Sequence, residues 1–72
     1  MTIQKEQLEN WFTYHSPTDE QLPKYKAIRE AGLAFATVIV ENTPISADQT
    51  AAIQKIREAV MTANASIACG GK

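Results

Sequence analysis

The chain has 72 residues, a length that allows one small domain. Domains of this size bury a modest fraction of their surface and usually need a disulfide, a metal ion or a partner to be stable. A single cysteine excludes an internal disulfide, and one cysteine with one histidine disfavours a four-ligand zinc site. Self-association is therefore predicted to stabilise the fold.

Net charge argues against nucleic acid as a partner, and the short apolar runs argue against a membrane-spanning segment. A formal net charge of −1 offers no basic excess for non-specific DNA binding, so any anionic ligand must be held by a few well-placed cations. Residues 1–6 lack the apolar core of a signal peptide, and the longest mostly apolar run, 32–40, is too short to span a bilayer. The unpaired Cys69 fits a reducing cytoplasm.

Residues 1–15 are predicted to form an N-terminal arm. Ile3, Leu8 and Trp11 fall roughly on one helical face, which favours a short helix within residues 2–11. The end of the arm then serves as a linker to the first long helix.

The first long helix is predicted over residues 16–42. Ser16 is a suitable N-cap, and Pro17 suits the first helical position. Pro23 conflicts with this start because it removes a backbone hydrogen bond, so the helix either bends there or begins properly only at Pro23. The β-branched run 33–40 could also form a strand. A helix is preferred because the preceding residues are strongly helical and no second strand is available for pairing.

A turn over residues 43–45 leads to a second long helix over 46–69. Ser46 and Gln49 form a capping box, apolar residues recur at helical spacing, and Gly70 ends the helix. The short turn predicts an all-α fold, an antiparallel two-helix hairpin with a short N-terminal helix or arm. Apolar residues on several sides of the first helix predict assembly as a homo-oligomer.

Catalytic chemistry is nearly absent from the sequence. His15 is the only histidine and lies in the linker, so it could act as a general base only with a group from another chain. Packing or capping is the simpler role for His15, and Cys69 is disfavoured as a reactive thiol. No glycine-rich phosphate loop occurs. The sequence predicts a protein without enzymatic activity, cofactor or metal.

One cluster suggests a nucleotide site. Trp11, Phe12 and Tyr14 precede the first long helix, while Lys26 and Arg29 share a face of that helix. Aromatic rings stack on bases for about 1–3 kcal/mol per base, and a guanidinium holds phosphate with two parallel hydrogen bonds. The simpler alternative remains open: the first two aromatics anchor the arm in a core, and the cations form a solvated face.

A family resemblance extends over most of the chain, from about residue 14 to residue 68. The residues that carry it are Tyr14-His15-Ser16-Pro17, Gln21, Tyr25, Ile28-Arg29, Ala31, Pro44, Ser46, Ala52, Ala59-Val60-Met61 and Ala63-Asn64-Ala65-Ser66-Ile67-Ala68. In these residues the chain resembles the bacteriophage hairpin proteins that sequester immune signalling nucleotides. The most similar is the second anti-CBASS family, and a related hairpin domain occurs in an anti-Thoeris sponge.

The resemblance implies a helical-hairpin hexamer in the cytoplasm of the infected bacterial host. It implies binding of cyclic dinucleotides such as 3′,3′-cGAMP between subunits, without cleavage, and of cyclic trinucleotides at separate sites in some members. By position, Tyr14 corresponds to the base-stacking aromatic and Arg29 to the phosphate-binding cation. Lys26 and His15 lie close enough in the sequence to assist.

A second, trinucleotide site would include Asn64 and Ser66, although a buried Asn64 could instead bond to the facing helix. Cys69 stands where family members often have an arginine, which puts trinucleotide binding in doubt. Two other functions remain as alternatives. The chain could be a helical protein-interaction module or small regulator that docks through an exposed apolar face. An enzyme such as a phosphodiesterase is the least favoured.

Overall fold

The computed structural model describes residues 2–72. This part of the chain forms three helices and no strand: α1 spans Lys5–Trp11, α2 spans Leu22–Asn42 and α3 spans Ala47–Ala68. The long helices α2 and α3 pack against each other as an antiparallel hairpin, and α1 lies near the C-terminal end of α3. The all-helical prediction is confirmed. The strand alternative for residues 33–40 is wrong, because these residues continue α2.

Helix α2 begins at Leu22, later than the start predicted at Ser16. The residues before it form a separate turn, in which the Gln21 N–H donates to Thr18 Oγ1 at 3.2 Å and the Thr18 N–H donates to Gln21 Oε1 at 3.0 Å. Pro23 then lies in the first turn, where its missing N–H has no helical partner to lose. The sequence left open whether the helix bends at Pro23 or begins there, and the structure has the later start.

Helix α3 begins with only half of the predicted capping box. Ser46 Oγ accepts a hydrogen bond from the Gln49 N–H at 3.1 Å, as expected of an N-cap. The Gln49 side chain does not return to the Ser46 N–H. It donates instead to the Thr43 carbonyl at 3.2 Å, which ties the turn to the start of α3.

The C-terminal end of α3 is closed by two glycines with positive φ. Gly70 and Gly71 have φ values of 67° and 77°, in the left-handed region that glycine adopts without a steric penalty. The Gly71 N–H donates to the Ser66 carbonyl at 2.9 Å, and the Gly70 N–H donates to the Ile67 carbonyl at 3.2 Å. These two bonds form a Schellman motif. Cys69 is the C-cap residue, so α3 stops just short of the end predicted at residue 69.

Helices α2 and α3 are in close contact at Gly32. A Cβ atom placed on Gly32 would lie 2.6 Å from Val60 Cγ2, well inside van der Waals contact. Val60 is β-branched and stiff at χ1, so it cannot turn aside easily. The missing side chain at Gly32 therefore sets the spacing of the hairpin.

We expect Gly32→Ala to lower the free energy of unfolding. Overpacking a close contact costs about 1–3 kcal/mol, while alanine regains about 1 kcal/mol of helix propensity, so the net loss is up to about 2 kcal/mol. Urea denaturation at fixed protein concentration measures it. The double variant Gly32→Ala/Val60→Ala removes the clash and should recover most of the loss. A Gly32→Ala protein more stable than wild type would contradict this account of the contact between α2 and α3.

A single chain has no core of its own. None of the residues 2–72 is buried, and the accessible surface is 5950 Å². A compact monomer of this mass would expose about 4,400 Å². The radius of gyration is 15.3 Å, against about 11 Å for a compact domain of this length. An isolated chain therefore leaves an unusual amount of apolar surface in water.

Candidate functional site

The seam between α2 and α3 is flanked by two different grooves. The first, here called the apolar groove, encloses about 570 Å³. Its lining is apolar apart from one lysine and consists of Ile28, Ala31, Gly32, Phe35, Ile39, Ala52, Lys55, Ile56, Ala59, Val60 and Ala63. Half-exposed aliphatic and aromatic side chains along an open groove are the chemistry of a packing surface.

The second groove, here called the arginine groove, lies on the other side of the same seam and encloses about 250 Å³. It is lined by Arg29, Gly32, Leu33, Ala36, Ile53, Ile56, Arg57, Val60 and Met61. The predicted phosphate-binding Arg29 thus faces a groove, together with Arg57 from the neighbouring helix. Arg57 is not among the residues predicted from the sequence.

Lys26 lies outside both grooves. Its Nζ atom is 3.8 Å from Glu30 Oε1, an ion pair between side chains that are both mostly exposed. Such solvated pairs contribute little to stability. Lys26 therefore remains available to an anion, although Glu30 competes for its charge.

Tyr14 projects into solvent, with 83% of its surface exposed, and it does not belong to the lining of either groove. The single chain therefore does not bring Tyr14 and Arg29 together in one of these grooves. The neighbouring Phe12 is 84% exposed, so it does not anchor the arm in a core. Trp11 is the more enclosed of the two and lies against the end of α3.

His15 is held in place by the backbone of α1. Its Nε2 atom lies 2.7 Å from the Asn10 carbonyl oxygen. A carbonyl can only accept, so Nε2 carries the proton and donates. This leaves Nδ1 as the ring atom free to meet a ligand, and it makes His15 a support for the linker around Tyr14.

The linker over residues 12–20 is tied to the C-terminal end of α3 from both sides. Before the linker, Asn10 Nδ2 donates to the Cys69 carbonyl at 3.1 Å. After it, Gln21 Nε2 donates to the Ile67 carbonyl at 3.3 Å. Both acceptors lie at the C-terminal end of α3, where carbonyls have no N–H partner within the helix itself. Side-chain amides thus complete the helix end and hold the segment that carries Tyr14.

We expect Asn10→Ala to loosen this linker. Losing a hydrogen bond of this kind costs about 0.5–1.5 kcal/mol, so amide hydrogen exchange over residues 12–20 should quicken by about 2- to 13-fold. Asn42→Ala is a matched control, because Asn42 Nδ2 donates to the Val38 carbonyl at 2.7 Å, at the far end of the hairpin. Equal exchange rates in the linkers of the two variants would show that Asn10 does not hold it.

The predicted second-site residues lie apart. Ser66 lines a groove of about 340 Å³ between α1 and α3, with Trp11, Thr62 and Lys72 among its other lining residues. Asn64 is not part of that lining. Its Oδ1 atom is buried and has no hydrogen-bond partner within residues 2–72. This oxygen therefore accepts no hydrogen bond from the facing helix, contrary to one of the two roles predicted for Asn64.

Residues 2–72 contain neither a cluster of metal-binding side chains nor a helix that could cross a membrane. No three His, Cys, Asp or Glu side chains come together there in the arrangement that a metal ion needs. None of the three helices combines the length and the apolar content required to cross a membrane.

An antiparallel pair of long helices, with a short helix docked at one end and no core of its own, defines a helical-hairpin domain. The family model of the Acb2/Tad1 hairpin domain matches residues 4–68, and the chain belongs to this family. This confirms the resemblance to the phage anti-defence sponges stated above. The comparison with curated proteins finds no match, and neither does the comparison with solved structures.

Proposed function

We propose that this chain is a phage anti-defence sponge that sequesters cyclic oligonucleotide messengers, foremost cyclic dinucleotides such as 3′,3′-cGAMP. It holds them without cleavage in the cytoplasm of the infected bacterium and so blocks CBASS immunity. The observation that carries the proposal is membership of the Acb2/Tad1 hairpin family over residues 4–68. A sponge needs abundance and affinity rather than catalytic groups, and nanomolar binding corresponds to about −12 kcal/mol.

The proposed sponge works as a homo-oligomer, and the resemblance suggests six subunits. The apolar groove supports this, because Phe35, Ile39 and Ile56 lie along it and remain partly exposed in the single chain. The same apolar surface on a second subunit can pack against this groove, and the resulting assembly is symmetric and closed. The excess surface of the isolated chain, about 1,500 Å² over a compact monomer, is of the size that stable interfaces remove from water.

In the proposed site, Tyr14 stacks on a base and Arg29 binds a phosphate. These two residues share neither groove of one chain, so the pocket is assembled from different subunits, each supplying one of them. Lys26 adds a second positive charge on the same helix face as Arg29. His15 contributes through its free Nδ1 atom and by holding the linker.

A second site for cyclic trinucleotides would use Ser66 and Asn64. The buried, unpaired Oδ1 of Asn64 supports a donor arriving from a ligand or another subunit. Cys69, in the position where family members often have an arginine, supplies no charge for a third phosphate. We therefore expect cyclic dinucleotides to bind more tightly than cyclic trinucleotides.

The test is recovery of the ligand. The protein is mixed with 3′,3′-cGAMP, freed of unbound ligand, and heated to release what it holds, which is then identified by chromatography. A sponge returns intact 3′,3′-cGAMP, whereas a phosphodiesterase returns hydrolysed product. A protein-interaction module retains none, and its melting temperature does not respond to cyclic dinucleotides. Recovery of hydrolysed product overturns the proposal, and so does a protein that retains no 3′,3′-cGAMP.

A further inference from the structure

We propose that Arg57 is a second phosphate-binding residue, and that Arg29 and Arg57 hold the two phosphates of one cyclic dinucleotide in the arginine groove. This inference rests on the proposed function and names residues of the same site. Its starting point is that Arg29 from α2 and Arg57 from α3 line one groove.

Both arginines lack an ion-pair partner within residues 2–72, and the sequence explains why. Lys5 and Lys26 each have a glutamate four residues later and pair with it. The positions three and four residues to either side of Arg29 and Arg57 carry no carboxylate; they are Tyr25, Lys26, Gly32, Leu33, Ile53, Gln54, Val60 and Met61. No acidic side chain belongs to the groove lining. The groove thus concentrates positive charge on a chain whose net charge is −1.

The spacing of the two cations fits two phosphates rather than one. Gly32 of α2 lies directly against Val60 of the antiparallel α3. Arg29 precedes Gly32 by one turn and Arg57 precedes Val60 by one turn, so the arginines lie on opposite sides of this contact. At 1.5 Å per residue, they are about 9 Å apart along the hairpin. Gly32 and Val60 line the groove between them.

The rest of the groove suits the other parts of such a ligand. Leu33 and Met61 border it with 70% and 60% of their surfaces exposed, and both are apolar. A methionine thioether packs favourably against aromatic rings, so these side chains can contact base faces while the guanidinium groups bind phosphate. The groove therefore presents charge for a dianion and apolar surface for its bases, the two properties of a cyclic dinucleotide.

Titration calorimetry with 3′,3′-cGAMP tests the assignment on the full chain. Arg57→Ala should raise Kd about 10- to 100-fold, the range for a charge-assisted hydrogen bond that is lost. Arg57→Lys should fall between this variant and wild type, because it keeps the charge and loses the planar fork. Lys5→Ala is the control: it removes one positive charge from α1, outside the groove, and should bind as wild type does.

Particle mass in solution is measured for each variant and should not change. Unaltered affinity of Arg57→Ala overturns the inference. So does a drop in its particle mass, which would assign Arg57 to an ion pair between subunits. A wild-type protein that binds no 3′,3′-cGAMP overturns the proposed function itself, and this outcome is visible before any variant is tested.

Discussion

Tyr14→Ala and Arg29→Ala should each strongly weaken the binding of 3′,3′-cGAMP. Removing the ring loses about 1–3 kcal/mol of stacking per base, and removing the guanidinium loses about 1.5–3 kcal/mol for a hydrogen bond to a charged group. Either loss alone weakens nanomolar binding by roughly one to two orders of magnitude. Titration calorimetry measures the effect.

Both side chains are exposed in the single chain, so their removal should not disturb the fold or the particle mass. Tyr14→Phe keeps the ring and loses only the hydroxyl, so it should bind nearly as wild type does. Arg29→Lys should retain part of the affinity. Normal affinity in both alanine variants would show that the ligand site lies elsewhere.

Phe35→Asp should break the assembly. Phe35 lines the apolar groove and is 57% exposed, so a single chain can tolerate a carboxylate there. In the proposed oligomer the same carboxylate is covered by another subunit, and burying an unpaired charge costs several kcal/mol at every interface. We expect particle mass to fall to that of a dissociated subunit and 3′,3′-cGAMP binding to be lost with it. Light scattering after size-exclusion chromatography gives the mass.

Ala34→Asp provides the matched control, because Ala34 is the neighbouring residue on α2, is exposed, and belongs to neither groove. It adds the same charge and should leave mass and binding intact. Circular dichroism checks that both variants stay helical. An intact Phe35→Asp oligomer would place the subunit contact on another surface.

The helices of the hairpin follow from local sequence signals. Ser46 caps α3, and the left-handed glycines after Cys69 end it, because these devices act over a few residues. The start of α2 was harder to predict, since Ser16 and Pro17 carry the local signals of a helix start. In the structure Thr18 and Gln21 bond to each other in a turn before the helix, and Pro23 lies in the first turn of α2.

Contacts between distant residues could not be predicted in this way. Asn10 and Gln21 reach carbonyls of the last turn of α3 that lie far away in the sequence. A polar side chain near a turn does not reveal which carbonyl it will meet. The groove shared by Arg29 and Arg57 likewise depends on how α2 and α3 pack. One local signal was present, because neither arginine has a carboxylate three or four residues away on its own helix, which marks cations left free for another partner.

The central claim is that copies of this chain assemble and hold an intact messenger. Native mass spectrometry of the protein with 3′,3′-cGAMP tests both parts in one measurement. The account predicts particles at a multiple of the 7.9 kDa chain, with added mass equal to whole numbers of uncleaved ligand. A folded 7.9 kDa monomer at micromolar concentration, carrying no ligand, would contradict it.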